Sequence, residues 1–119
     1  MAQHIKVHIL LAPNPLMLDF AGPAEVLRRA NKIQSEIIFD VQYIAPRDEM
    51  LTSAGLKVSG LSKLPNQLQP NSFLMVSGTT KDILGDLPSP SAAQRAADNK
   101  TIIEWLGTAF TKEQTLLTI

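Results

Sequence analysis

The sequence contains no cysteine. That removes disulfides, thiolate metal sites and a cysteine nucleophile from these residues. It carries no excess of charge: 11 basic and 11 acidic side chains leave a formal net charge of zero. Neutralising phosphates takes a basic face, so this chain taken alone is not the part of a protein that grips nucleic acid. Arg28, Arg29 and Lys32 do cluster, but at a spacing that puts them on the solvated side of a helix. No apolar run approaches the ~20 residues that span a bilayer. The N-terminus, MAQHIKVHILLAPN, has one lysine before a short apolar run and lacks a cleavage pattern, so it reads as a first strand and not as a signal peptide. A cytoplasmic protein with no membrane partner is the expectation.

The familiar chemical motifs are missing as well. There is no G-x-G-x-x-G after a strand and no G-x-x-x-x-G-K-[ST], so nucleotide-binding motifs fail and nothing calls for a cofactor. The only two histidines, His4 and His8, share one strand. Residues at i and i+4 of a strand lie ~13 Å apart, too far to ligate one metal, and no metal site is expected. A phospho-receiver needs an acidic cluster after the first strand, where Asp19 stands alone. Ser53, Ser77 and Thr79 have no histidine in the surrounding motifs to act as base, which leaves a serine triad unsupported. Internal repeats, low-complexity tracts and linkers are absent too.

What is present is a single domain's worth of alternating elements. The 119 residues, 45% of them apolar, suffice for one domain with a real core. His4 to Ala12 becomes almost continuously apolar after His8, as a strand covered on both faces does. Pro13, Asn14 and Pro15 end it. A helix follows with Val26, Leu27, Ala30 and Ile33 on one face and Glu25, Arg28, Arg29 and Lys32 on the other. Glu36 to Ala45 reads as a second strand closed by Pro46. Leu56 to Gly60 reads as a short strand with Thr52 to Gly55 as its turn, and Ser72 to Ser77 as a third main strand followed by a turn and a helical piece. Ser91 and Gln94 have capping-box spacing for a helix from Ala92, with Asp98 or Asn99 as other caps. Its expected core face is Ile102, Ile103, Leu106 and Phe110, with Trp105 at the margin. Thr115 to Ile119 reads as a fourth strand. Strands alternating with helices predict an α/β fold: an open, mostly parallel sheet with helices on both faces and right-handed crossovers. Because the chain stops at the carboxyl end of a strand, the expectation is an incomplete sheet, the N-terminal part of a longer domain.

Two loops at carboxyl ends of predicted strands carry the candidate site, because that is where open α/β sheets bind ligands. In the first, LMLDFAGPAEVLRRANK, two frames compete. With Gly22 as N-cap, Pro23 falls at N1, where its missing N–H costs nothing, and Asp19 needs another reason to be there. With Asp19 as the cap, Pro23 falls at N4. The second loop is VSGTTKD, where Gly78 permits a turn and the N–H groups of a following helix could hold an anion or a carbonyl oxygen.

At these residues the sequence resembles a family. LMLDFAGPAEVLRRAN looks like the "LD-aliphatic-AGP-x-EV" segment of the class I glutamine-amidotransferase-like, PfpI-type superfamily. More narrowly it is similar to the branch found as the N-terminal domain of AraC-type transcription regulators and as isocyanide hydratase. TSAGLKV matches that family's "S-S-G-L" hairpin, FLMVSGTT takes the place of its strand ending in "P-G-G", and TIIEWLGTAFTKEQTLLTI matches the helix and strand before its nucleophile elbow. The resemblance implies a flavodoxin-like sheet, an elbow cysteine that would follow Ile119, and an acidic residue at Asp19 that faces it. It also implies a departure, since Ser77-Gly78-Thr79 replaces Pro-Gly-Gly and a β-branched residue resists φ > 0. Two functions follow as expectations. One is the small-molecule-sensing N-terminal domain of an AraC-type regulator, with Asp19, Gly22, Pro23, Gly78 and Thr79 about an unknown effector, DNA contacted only through a C-terminal domain outside these residues, and a homo-oligomeric assembly. The other is a fragment of a cysteine-dependent hydratase or hydrolase, which without its nucleophile is not an enzyme in this piece.

Overall fold

The structure is a computed structural model that describes residues 2–118. Its elements run β1 (Gln3–Leu10), α1 (Met17–Ile33), β2 (Ile37–Ile44), β3 (Glu49–Leu51), β4 (Lys57–Ser59), β5 (Phe73–Val76), α2 (Ala92–Ala109) and β6 (Thr115–Thr118). Four strands form one sheet in the order β2-β1-β5-β6, with every neighbouring pair parallel. This is the open, parallel arrangement the alternation predicts, in the flavodoxin-like form the resemblance implies. Ile119, the last residue of the expected fourth strand, lies outside the described residues.

Side chains alternate across a strand, and β1 uses both faces. Val7, Ile9 and Leu11 pack on one side with Phe20, Ala24 and Leu27 of α1. Leu10 and Ala12 pack on the other with Ile102, Trp105 and Ala109 of α2. The two helices therefore cover opposite faces of the sheet. Central Leu10, Ile44 and Leu74 are wholly buried, each contributing about 1.5–3 kcal/mol of transfer free energy.

The structure corrects several local expectations. Helix α1 begins at Met17, ahead of both Asp19 and Gly22, and its N-cap Leu16 has no side-chain cap. The free N–H at the first helical position is met from afar: the Met17 N–H donates to the Ser53 hydroxyl at 2.9 Å. Pro23 consequently falls inside the helix. The core face of α1 runs through Phe20, Ala24 and Leu27, while Val26 and Ile33 are 67% and 68% exposed. In α2, Trp105 is central to the core and Ile103 faces solvent. The short strand expected at Leu56–Gly60 is β4, and across the Thr52–Gly55 turn it pairs antiparallel with β3, which the strand reading did not include. No helix follows Gly78. Residues 78–91 form an irregular loop, which fits Gly85 at φ 92° and the helix-breaking Pro88 and Pro90.

Candidate functional site

The two loops singled out by sequence meet. The Asp19 carboxylate accepts a hydrogen bond from the Gly78 N–H at 2.8 Å. Around that contact, the Leu16 N–H bonds the Gly78 carbonyl at 3.0 Å and Pro15 pairs with Thr79 as an antiparallel bridge. The Thr80 N–H bonds the Asn14 carbonyl at 3.1 Å. The start of α1 is thus tied to the carboxyl end of β5 across the top of β1.

Gly78 is glycine here because of space and not because of backbone angle. Its φ is outside the left-handed region, and so is that of Thr79. A Cβ on Gly78 would stand 2.7 Å from Asp19 Oδ2 and 3.0 Å from Leu16 Cδ1. The β-branched Thr79 therefore sits without the strain that a left-handed second glycine position would impose. The Gly78 N–H, the donor an oxyanion-binding loop would offer, already serves Asp19. With no helix behind it, the loop also lacks the helix N-terminus on which the anion-holding expectation rested.

Gly22 and Pro23 are placed further along α1 and make no hydrogen bond to the Gly78 loop. A Cβ on Gly22 would meet only Leu18 Cδ1, at an ordinary 3.7 Å. Thr79 is exposed and lines a cavity of about 300 Å³ with Pro13, Thr80, Lys81, Arg95 and Asn99. The Asp19–Gly78 contact itself closes the gap between its loops.

The organising role of Ser53 went unseen in the sequence. Its hydroxyl accepts from the Met17 N–H, its own N–H bonds the Pro15 carbonyl at 2.9 Å, and its carbonyl accepts from the Leu84 N–H at 3.1 Å. The only sequence signal was the TSAG turn, in which Gly55 has φ 80° and a Cβ would overlap the Leu84 carbonyl oxygen. Ser53 is a joint between three loops and has no base beside it to make it a nucleophile. His8 is buried with its Nδ1 unpartnered, and burial followed by the charge of Lys6 pushes its pKa below the ordinary value. His4 pairs with Asp40 at 3.0 Å on the surface. Among the described residues no cluster of three His, Asp or Glu side chains could hold a metal, and no helix is long and apolar enough to cross a membrane.

No family model matches the sequence, and no curated protein is significantly similar to it. Solved structures do match its fold. A candidate transcriptional regulator protein from Vibrio parahaemolyticus superposes with a TM-score of 0.61 at 12% identity over 98% of this chain. This chain covers 56% of that protein's length. An AraC family transcriptional regulator from Pseudomonas putida superposes with a TM-score of 0.53 at 16% identity, over 94% of this chain and 79% of that one. At such identities the likeness is one of fold.

Proposed function

We propose that this chain is a regulatory, small-molecule-sensing domain of an AraC-type transcription regulator, within the PfpI-type, glutamine-amidotransferase-like superfamily. The observation that carries the reading is the likeness of fold, over nearly the whole chain, to proteins described as transcription regulators. The neutral charge supports it, since DNA contact then belongs to another part of the protein. The effector site in this reading is the meeting of the two strand-end loops: Asp19, Gly78 and Thr79, with Gly22 and Pro23 one turn behind. An effector that claims the Asp19 carboxylate releases the Gly78 N–H, so occupancy changes the tie between α1 and β5. The cysteine-dependent hydratase reading needs a nucleophile these 119 residues do not contain.

Deleting the encoding gene and sequencing the transcripts tests the regulator reading. A small set of transcripts should change, and the Asp19→Asn variant should reproduce part of that change. Unchanged transcripts across growth conditions would overturn it.

A further inference from the structure

The strand order β2-β1-β5-β6 has its switch point between β1 and β5. Strand β1 leads through α1 to β2 on one side of it, and β5 leads through α2 to β6 on the other. The two helices cover opposite faces of the sheet. The chain therefore parts at the carboxyl ends of β1 and β5, and such crevices are where open α/β sheets bind ligands. The cavity lined by Pro13, Thr79, Thr80, Lys81, Arg95 and Asn99 opens there. Pro13 follows β1, Thr79 to Lys81 follow β5, and Arg95 and Asn99 belong to α2. Its volume of about 300 Å³ lies at the lower end of the range for ligand pockets, which suits a small metabolite and not a dinucleotide.

Helix periodicity turns two of these side chains toward the crevice. Arg95, Asn99, Ile102 and Leu106 stand at i, i+4, i+7 and i+11, along one side of α2. Ile102 is buried in the core and Leu106 packs against it. Arg95 and Asn99 continue that side to the level of Pro13 and Thr79, where the stripe changes from apolar to polar.

The charge of the lining is one-sided. No Asp or Glu is among these six residues. The four ion pairs among the described residues engage His4, Arg28, Arg47 and Lys57, and none engages Lys81 or Arg95. Arg95 is half-buried, and its Nη1 donates to the Pro90 carbonyl at 2.7 Å. That bond holds the guanidinium in place and leaves Nε and Nη2 with no acceptor among the described residues. A guanidinium edge of this kind takes two oxygens of a carboxylate or phosphate in parallel bonds. The Thr80 hydroxyl accepts from the Asp82 N–H at 3.0 Å, so its own proton is free to donate. These donors are side chains, distinct from the Gly78 N–H that Asp19 already engages.

We propose that this crevice binds a small organic anion, its carboxylate or phosphate oxygens held by Arg95 and Lys81 with the Thr80 hydroxyl and the Asn99 amide as further donors. Calling that anion the effector rests on the sensing reading given above; its binding is a property of this chain alone.

Titration of the isotope-labelled chain with succinate, followed by backbone amide NMR shifts, tests it. The titration is run at about 0.15 M salt, where exposed charges are screened beyond ~8 Å. Succinamide, of the same size but without the charge, is the control, and inorganic phosphate is titrated in parallel. Saturable shifts centred on Thr79 to Lys81, Arg95 and Asn99 are expected, with succinamide about tenfold weaker or more. The tighter of succinate and phosphate tells whether carboxylate or phosphoryl oxygens are recognised. Lys81→Gln, on an exposed loop, and Arg95→Gln should each weaken that anion about tenfold. Lys112→Gln, past the far end of α2, should leave it unchanged. Equal binding of succinamide, an equal loss with Lys112→Gln, unchanged binding to Lys81→Gln or Arg95→Gln, or no saturable shift with either anion would each overturn the proposal. Transcripts that change on gene deletion while neither anion binds would leave the regulator reading standing and remove this site; anion binding with unchanged transcripts would do the reverse.

Discussion

At the scale of single residues, the contact between Asp19 and Gly78 decides most. A hydrogen bond to a charged acceptor contributes about 1.5–3 kcal/mol. Gly78→Ala drives its Cβ to 2.7 Å from Asp19 Oδ2, so the carboxylate must swing away and the bond is lost. Chemical denaturation should show a loss of about 1.5–3 kcal/mol. Asp19→Asn keeps an acceptor oxygen but not its charge and should cost about 1 kcal/mol. The double variant should cost little more than Gly78→Ala alone, because one interaction is removed twice; full additivity would refute the coupling. His8 gives a pH prediction. Its pKa is depressed in the folded chain by burial and by Lys6, so the unfolded chain binds its proton first as pH falls. The stability tied to neutral His8 is present above its ordinary value of 6.5 and is lost as pH drops from there through the depressed value. His8→Leu should flatten the stability profile over that window, and a slope unchanged by the variant would contradict the assignment. That Asp19 sits in a strand-end loop was legible in the sequence, which left it either a helix cap or a site residue. Its partner's amide was not, because 59 residues separate the two.

At the scale of elements, the helices were easier to find than to bound. Helix α2 starts where the Ser91 capping spacing predicts, and the Ser91 hydroxyl accepts the Gln94 N–H at 3.1 Å. That cap is local, so sequence could show it. Helix α1 is capped by Ser53 from a hairpin far along the chain, and no local rule could place its start at Met17. The shift of the N-cap from the expected Gly22 to Leu16, six residues, turns Pro23 from a favourable first position into an interior one. An interior proline removes the hydrogen bond to the carbonyl four residues back, which here is Asp19's, and crowds it. Pro23→Ala restores that donor. Thermal unfolding should show a stabilisation of about 1–3 kcal/mol, taken from the cost of interior proline. No gain would mean the loop contacts at Leu16 and Gly78 require the bend that proline imposes. The earlier start also explains the misassigned face: it brings Phe20 into the helix, where Phe20, Ala24 and Leu27 at i, i+4 and i+7 form the stripe that packs on the sheet, and Val26 and Ile33 lie off it. Trp105 was placed at the margin for a related reason. Its indole N–H bonds the Pro65 carbonyl, a partner that lets a polar-tipped ring sit at the centre of a core.

At the scale of the whole molecule, the strand order β2-β1-β5-β6 leaves β6 with a neighbour on one side only among the described residues. Leu116 and Leu117 point to opposite faces of that strand and are 47% and 37% exposed, although Leu74, paired in register with Leu116, is fully buried. The radius of gyration is 14.8 Å, against about 13.5 Å for a compact domain of this length. Parallel order was legible from the apolar runs, because only strands covered on both faces read that way. The exposure of β6 was legible only from its position in the order. An open edge with apolar side chains on both faces is a template for pairing, and pairing two copies about a two-fold axis extends the sheet without leaving an open series. The chain should therefore sediment at twice its 13.0 kDa mass at micromolar concentration. Leu117→Lys puts a charge on that edge and should return it to a monomer with unchanged far-UV circular dichroism. A monomeric parent chain, or a dimer that survives the lysine, would place any self-association on another surface.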